Sequence, residues 1–213
     1  GRTTPADAPA SLAIWAADAL ALIDHLRLPS AHMAGHSLGG MIALHMAQTA
    51  PERIRSLTLL ASGPLHVLRN DHLFETFLAL RQPGLPPDLW LRALFPWLFH
   101  PRVYDSESAV ETMVAMSLGY PYAQGADAMR QQVTAMMQIT NDMLLPDPAP
   151  PTLAILAADD LLFPLDLARA SVNTIPGAAL AVIPGAGHSV HWDAPEAVLA
   201  EMLAHLARHT GAD

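Results

Sequence analysis

Three short stretches of this chain carry residue types that do chemistry in combination. Gly35-His36-Ser37-Leu38-Gly39 fits G-x-S-x-G, and it stands after a strand-like run and at the start of a helical one. In such a turn the serine is held in a strained conformation, and small flanking residues avoid a clash between strand and helix. Placing Ser37 at a helix N-terminus aims backbone N–H groups and the helix dipole at a developing oxyanion, with the Leu38 N–H as one donor. A serine hydroxyl needs a base, and the base needs an orienting group. Pro184-Gly185-Ala186-Gly187-His188 offers a base on a glycine-rich loop just past a strand-like run, with His191 as its rival. Open α/β sheets gather functional groups at that edge. Ala157-Ala158-Asp159-Asp160 offers two adjacent carboxylates past another strand-like run, one as orienter and one for a turn or helix cap.

These groups need a frame. Leu12, Trp15, Ala19, Leu22, Ile23 and Leu26 recur at steps of three and four, so a helix is expected from Leu12, capped by Ser11 and ended before Pro29. A short segment, Ala31–Ala34, leads into the serine turn, and a second helix runs from about Leu38 to Ala50. Ile54–Leu60, Thr152–Leu156 and Ala179–Ile183 read as buried strands. Helices are expected at Leu165–Ile175 and at Pro195–Ala207. Strand followed by helix, repeated, indicates a parallel sheet covered on both faces. Residues 5–10 read as a loop. Residues 64–148 differ: they hold six of the ten Met and most aromatic residues, and read as short helices broken by prolines. Trp90, Phe95, Trp97 and Phe99 suit an apolar wall, and most of them are expected to pack this segment rather than touch a ligand.

Composition removes other chemistries. All eleven basic residues are Arg, so Schiff-base and Ser–Lys mechanisms have no residue in this chain; Cys is also absent. The formal net charge of −9 argues against nucleic acid or an anionic membrane as partner. No apolar run approaches the roughly 20 residues of a spanning helix, and no secretory signal opens the chain. A cytoplasmic location is the expectation. Metal readings are weak: His188 with His191, and His205 with His209, lack a completing carboxylate, no HExxH occurs, and a solvated helix face explains the second pair. Gly35–Gly40 matches neither phosphate-binding glycine pattern. No cofactor and no metal are expected.

With these residues in view, the chain resembles the α/β-hydrolase superfamily over nearly all its length. GHSLGG resembles the nucleophile elbow, and APERIRSLTLLASGP the helix, strand and turn that follow it. DDLLFP resembles the acid loop, whose Asp stands four residues before a Pro, which selects Asp160 over Asp159. GAGHSVHWDAPEAVLAEMLAHL resembles the histidine loop and last helix, which supports His188. The order Ser…Asp…His is that of this superfamily and differs from those of chymotrypsin and subtilisin.

The resemblance implies an α/β-hydrolase fold: a partial, mostly parallel sheet flanked by helices, with a helical cap inserted. The implied division is core at 1–63, cap at 64–148 and core again at 149–213. It further implies a catalytic triad of Ser37, Asp160 and His188, with the Leu38 N–H in the oxyanion hole. The expected activity is that of a cofactor-free serine hydrolase acting on a small or medium carboxylic ester or lactone, with a homo-oligomer compatible. Perhydrolase, thioesterase and C–C bond hydrolase relatives share the triad, and a non-catalytic hydrolase-like fragment is the competing reading. Residues 1–26 resemble the segment after the family's fourth strand. The chain is therefore expected to be a C-terminal part, with the His-Gly oxyanion loop outside it and Ala31–Ala34 at an edge.

Overall fold

The computed structural model describes residues 9–140 and 145–210. The expected loop at residues 5–10 is thus described only at its last two positions, and residues 141–144 of the expected 64–148 segment lie outside the described residues. The first helix, α1 (Leu12–His25), begins where Ser11 accepts a hydrogen bond from the Ile14 N–H on its Oγ. β1 (Ala31–His36) follows, then α2 (Leu38–Thr49), a 3₁₀ turn at Pro51–Arg53, and β2 (Ile54–Leu60). Four helices come next: α3 (Leu68–Leu80), α4 (Leu89–Leu98), α5 (Glu107–Gly119) and α6 (Ala126–Met136). The chain returns through β3 (Thr152–Ala157), α7 (Leu165–Val172) and β4 (Ala179–Ile183), and finishes with α8 (Val190–Asp193) and α9 (Pro195–His209).

The four strands form one sheet in the order β1-β2-β3-β4, and every pairing is parallel. β2 and β3 are the inner strands, and their burial is nearly continuous. That is why IRSLTLL and TLAILA read as apolar runs rather than as alternation. Successive residues still take opposite faces. Leu57, Leu59 and Ala154 pack with Ile23, Leu44 and Ala47, on the side of α1 and α2. Leu60, Leu153 and Ile155 pack with Val190 and Val198 of α8 and α9 on the other.

Between β2 and β3, small clusters hold the helices together: Phe77 with Met129 and Val133, and Leu91 with Phe95 and Val114. One proline does not break a helix as expected. Pro96 lies inside α4, near its end, on an exposed side where its ring meets water. A second difference concerns the last helix. His205 is 2% exposed, so the His205–His209 pair does not lie on a solvated face. Its ring packs edge-on against the half-buried His209, with centroids 4.8 Å apart.

Candidate active site

β1 ends at His36, and the ladder continues one step further through the Ser37 N–H to the Leu60 carbonyl, 2.9 Å away. The chain then turns into α2 with Ser37 at φ 51°, ψ −120°. A non-glycine residue with positive φ is strained, and such residues cluster at functional sites. The turn closes because its flanks are glycine. A Cβ at Gly35 would run into the Gly39 carbonyl, and one at Gly40 would run into the Ser62 side chain. Ser62 donates its hydroxyl to the Ser37 carbonyl at 2.7 Å and braces the turn from the end of β2. Leu38 opens α2, so its N–H is among the first-turn donors that have no partner within their own helix.

The loop after β3 resolves the two carboxylates. Asp160 is 5% exposed, and its Oδ1 accepts from the Leu162 and Phe163 N–H groups, both at 2.8 Å. Its Oδ2 lies 2.9 Å from His188 Nδ1. A carboxylate only accepts, so Nδ1 carries the proton and His188 Nε2 is left as an acceptor. Ser37 Oγ stands 2.9 Å from that Nε2. Ser37, His188 and Asp160 thus form one continuous hydrogen-bonded line. Asp159 is half exposed and pairs instead with His100, with 3.6 Å between Nε2 and Oδ2.

His191 does not replace His188. Its ring meets His36 edge-on, with centroids 4.6 Å apart. His36 was not singled out in the sequence, although it stands inside the serine pentapeptide. Its Nε2–H donates to the His188 carbonyl at 2.8 Å. Burial, and then the neighbouring His188, push the His36 imidazole down to about 4. Burial and His188 likewise lower His191.

Asp193 was also passed over. Its Oδ2 accepts from the Gly187 N–H at 2.8 Å and from the His100 N–H at 2.9 Å. One carboxylate therefore ties the histidine loop to the chain leaving α4, and the Ser189 N–H bonds the Leu98 carbonyl at 2.7 Å. Glycine fits this approach best at 187, because a Cβ would sit a tight 3.0 Å from the backbone of Phe99 and His100. The signal that could have found Asp193 is an acidic residue five positions past the histidine.

Two cavities open onto Ser37 and His188. The larger, about 640 Å³, has walls that include Trp15, Ile42, Phe74, Leu94 and Leu98. The smaller, about 60 Å³, has walls that include Met41, Leu65, Val67 and Phe163. Of the aromatic residues marked from α4 and its exit, none lines either cavity. Trp90 and Trp97 pack on the Phe77 cluster, Phe95 is buried beside Leu91, and Phe99 packs on that second group. Among the described residues, no group of three or more His, Asp or Glu could hold a metal ion, and no helix is long and apolar enough to cross a membrane.

Comparison with known proteins places this architecture. A model of the alpha/beta hydrolase family matches residues 1–201. The chain is 32% identical over 194 residues to the dihydrolipoyllysine-residue acetyltransferase component of the acetoin cleaving system of Pseudomonas putida, covering 89% of this chain and 49% of that protein. It thus spans about half the length of that relative. It is 30% identical over 208 residues to the proposed carbamate hydrolase RutD of Azorhizobium caulinodans, covering 95% and 76%. The structure of Rv0554 from Mycobacterium tuberculosis superposes with a TM-score of 0.80 at 27% identity, over 96% of this chain and 75% of that one. The chain belongs to the alpha/beta hydrolase family.

Proposed function

We propose that the chain is a serine hydrolase cleaving small or medium carboxylic esters or lactones through an acyl-enzyme. The observation that carries this is the line from Ser37 Oγ to His188 Nε2 and from His188 Nδ1 to Asp160 Oδ2, both steps at 2.9 Å. Ser37 attacks the carbonyl carbon and its proton passes to His188 Nε2. Asp160, itself fixed by two backbone N–H groups, keeps the imidazole in the right tautomer and stabilises its charged form. The Leu38 N–H donates to the oxyanion. His188 returns the proton to the departing alcohol oxygen, and water repeats the sequence in reverse to release the acid.

In this reading residues 1–63 and 149–213 form the hydrolase core and residues 64–148 form a cap above Ser37. Phe74, Leu94, Leu98 and Met136 contribute to the wall of the larger cavity from that segment. A relative named for carbamate hydrolysis, at 30% identity, fits the same attack on an acyl carbon. The test is hydrolysis of p-nitrophenyl acetate and butyrate by the 213-residue chain, with circular dichroism to show folding. Turnover that disappears in Ser37→Ala, together with fluorophosphonate labelling of the unmodified protein only, is the expected result. A folded protein that neither turns over nor labels rejects the proposal.

A further inference from the structure

The two cavities that meet at Ser37 differ about tenfold in volume, roughly 640 Å³ against roughly 60 Å³. Both are lined by Ser37, Leu38, Phe74, Met136, Leu162 and His188, so they share the reacting atoms and diverge from them. The larger has a rim of exposed residues, Asp18, Gln124 and Gln131. None of the residues lining the smaller is exposed, and several are almost fully covered: Ala61, Ser62, Asp71, Ile139 and Phe163. Most polar groups there bond to protein, and Asn70 Oδ1 is buried with no hydrogen-bond partner among the described residues. Ser62 Oγ–H goes to the Ser37 carbonyl, His66 Nε2 pairs with Asp71 at 2.9 Å, and the Asn70 amide NH₂ donates to the Leu162 carbonyl at 2.7 Å.

From this we infer that the substrate is an ester of unequal halves: a short acyl group in the small chamber and a larger, mostly apolar alcohol in the open one. The inference rests on the serine-hydrolase reading and names its substrate class. A cavity needs at least about 10–15 Å³ of free space for each water it holds, so about 60 Å³ takes an acyl substituent of about four heavy atoms. The larger cavity lies within the range of roughly 300–1,000 Å³ typical of sites for small organic molecules.

The order of events decides which half goes where. When Ser37 Oγ bonds to the acyl carbon and the carbon–oxygen bond to the alcohol breaks, the alcohol takes the serine's proton from His188 Nε2 and departs first. An alcohol in the open cavity leaves across the rim, and the space it vacates admits the water that cleaves the acyl–Oγ bond. An alcohol in the covered chamber would have to pass the acyl group still fixed to Ser37. Leu65 and Val67 line the small chamber and not the large one, so trimming either widens the acyl side alone.

Two isomers of nearly equal intrinsic reactivity make the test. 2-Naphthylmethyl acetate has the small acyl group, and methyl 2-naphthylacetate has the large one. With the 213-residue chain the first is expected to show a kcat/KM at least about 30-fold above the second, within the roughly 10- to 200-fold that even one misplaced methylene can produce. 2-Naphthylmethyl hexanoate should fall below the acetate by a similar factor. In Leu65→Ala and in Val67→Ala, each checked for folding by circular dichroism, the hexanoate-to-acetate ratio should rise at least about 10-fold. Equal rates for the two isomers, or a preference for the methyl ester, overturn the inference while leaving the hydrolase reading intact. A hexanoate ratio that stays put in both folded variants overturns it too. Turnover of p-nitrophenyl acetate but of none of the three overturns the inference alone, and absence of Ser37-dependent turnover of all four esters together with no fluorophosphonate labelling overturns the hydrolase reading as well.

Discussion

His36 Nε2 donates a hydrogen bond to the main-chain carbonyl of His188, 2.8 Å away, across 152 residues of sequence. The residue before the serine therefore holds the backbone of the histidine that faces it. The imidazole keeps this role because it stays neutral over the ordinary working range, its proton on the nitrogen that faces the carbonyl. His36→Phe keeps a ring but has no donor. It is expected to lower kcat by about 10- to 100-fold, more than it raises KM, as for a displaced catalytic group. His36→Gln, whose amide NH₂ reaches a similar point, should recover most of that loss. Equal kcat values for the Phe and Gln variants would show that only bulk matters at this position.

The two neighbouring aspartates should separate cleanly. Asp160→Asn presents an amide to His188 and disturbs the tautomer, so kcat should drop by about 10³- to 10⁴-fold. Asp159→Asn changes a half-exposed carboxylate away from His188 and should alter kcat by less than about threefold. Steady-state rates on one aryl acetate decide the matter. A larger loss at Asp159 than at Asp160 would reverse the assignment.

The glycines of the serine turn are unequal as well. Gly35→Ala drives a methyl group into the Gly39 carbonyl, which is backbone and cannot swing aside. A loss of about 3 kcal/mol or more in unfolding free energy is expected, in the range of other backbone-strain substitutions. At Gly39 a Cβ meets nothing within 4 Å and the residue lies in α2. Gly39→Ala should be neutral or stabilising by up to about 1 kcal/mol. Urea unfolding of the two variants beside the parent protein measures both.

Acid should destabilise the fold before the carboxylates titrate. Burial is the chief cause that lowers His36, to about 4, and it is also the first cause at His32, His191 and His205. Between the unfolded value near 6.5 and the folded value, the unfolded chain binds protons that the folded one refuses. Stability is thus full above about pH 6.5 and declines as pH falls. His36 alone accounts for about 3 kcal/mol by pH 4. Urea midpoints measured from pH 7.5 to 4.5 should fall steadily, and less steeply in His36→Phe. A midpoint independent of pH across that interval would contradict the burial argument.

Much of this architecture was legible in the residues. Ile54–Leu60 and Ala179–Ile183 match the observed strands to the residue, because β-branched and apolar runs bounded by Pro, Gly or polar residues leave little choice. The Ser11 cap and the helix starts at Leu12, Leu38 and Pro195 followed from local chemistry that needs no distant partner. What local pattern did not carry was the role of residues whose meaning comes from long-range contact. His36 and Asp193 act on segments 152 and 93 residues away, and neither the serine pentapeptide around His36 nor the spacing of Asp193 from His188 says which distant backbone group each one meets. The same limit applies to His205, which looked solvated on a helix ending in polar residues but packs inward. The adjacent aspartates were ambiguous from local chemistry, and the resemblance of DDLLFP to the family's acid loop selected Asp160, the one that lies against His188.

The serine and its facing histidine lie 151 positions apart in the chain, and this has a bearing on the order of synthesis. As the polypeptide emerges from its N-terminal side, Ser37 and the strained turn around it are made long before any partner for the hydroxyl exists. Asp160 arrives next, and His188 follows 28 positions later. Parallel pairing between distant segments is intrinsically slow, and β4, made after the other three strands, joins the sheet by pairing with β3. A nascent chain that ends short of His188 carries an isolated serine with the reactivity of an ordinary alcohol. In the proposed mechanism the chemistry therefore waits for His188, which is made after both Ser37 and Asp160 are already in the chain.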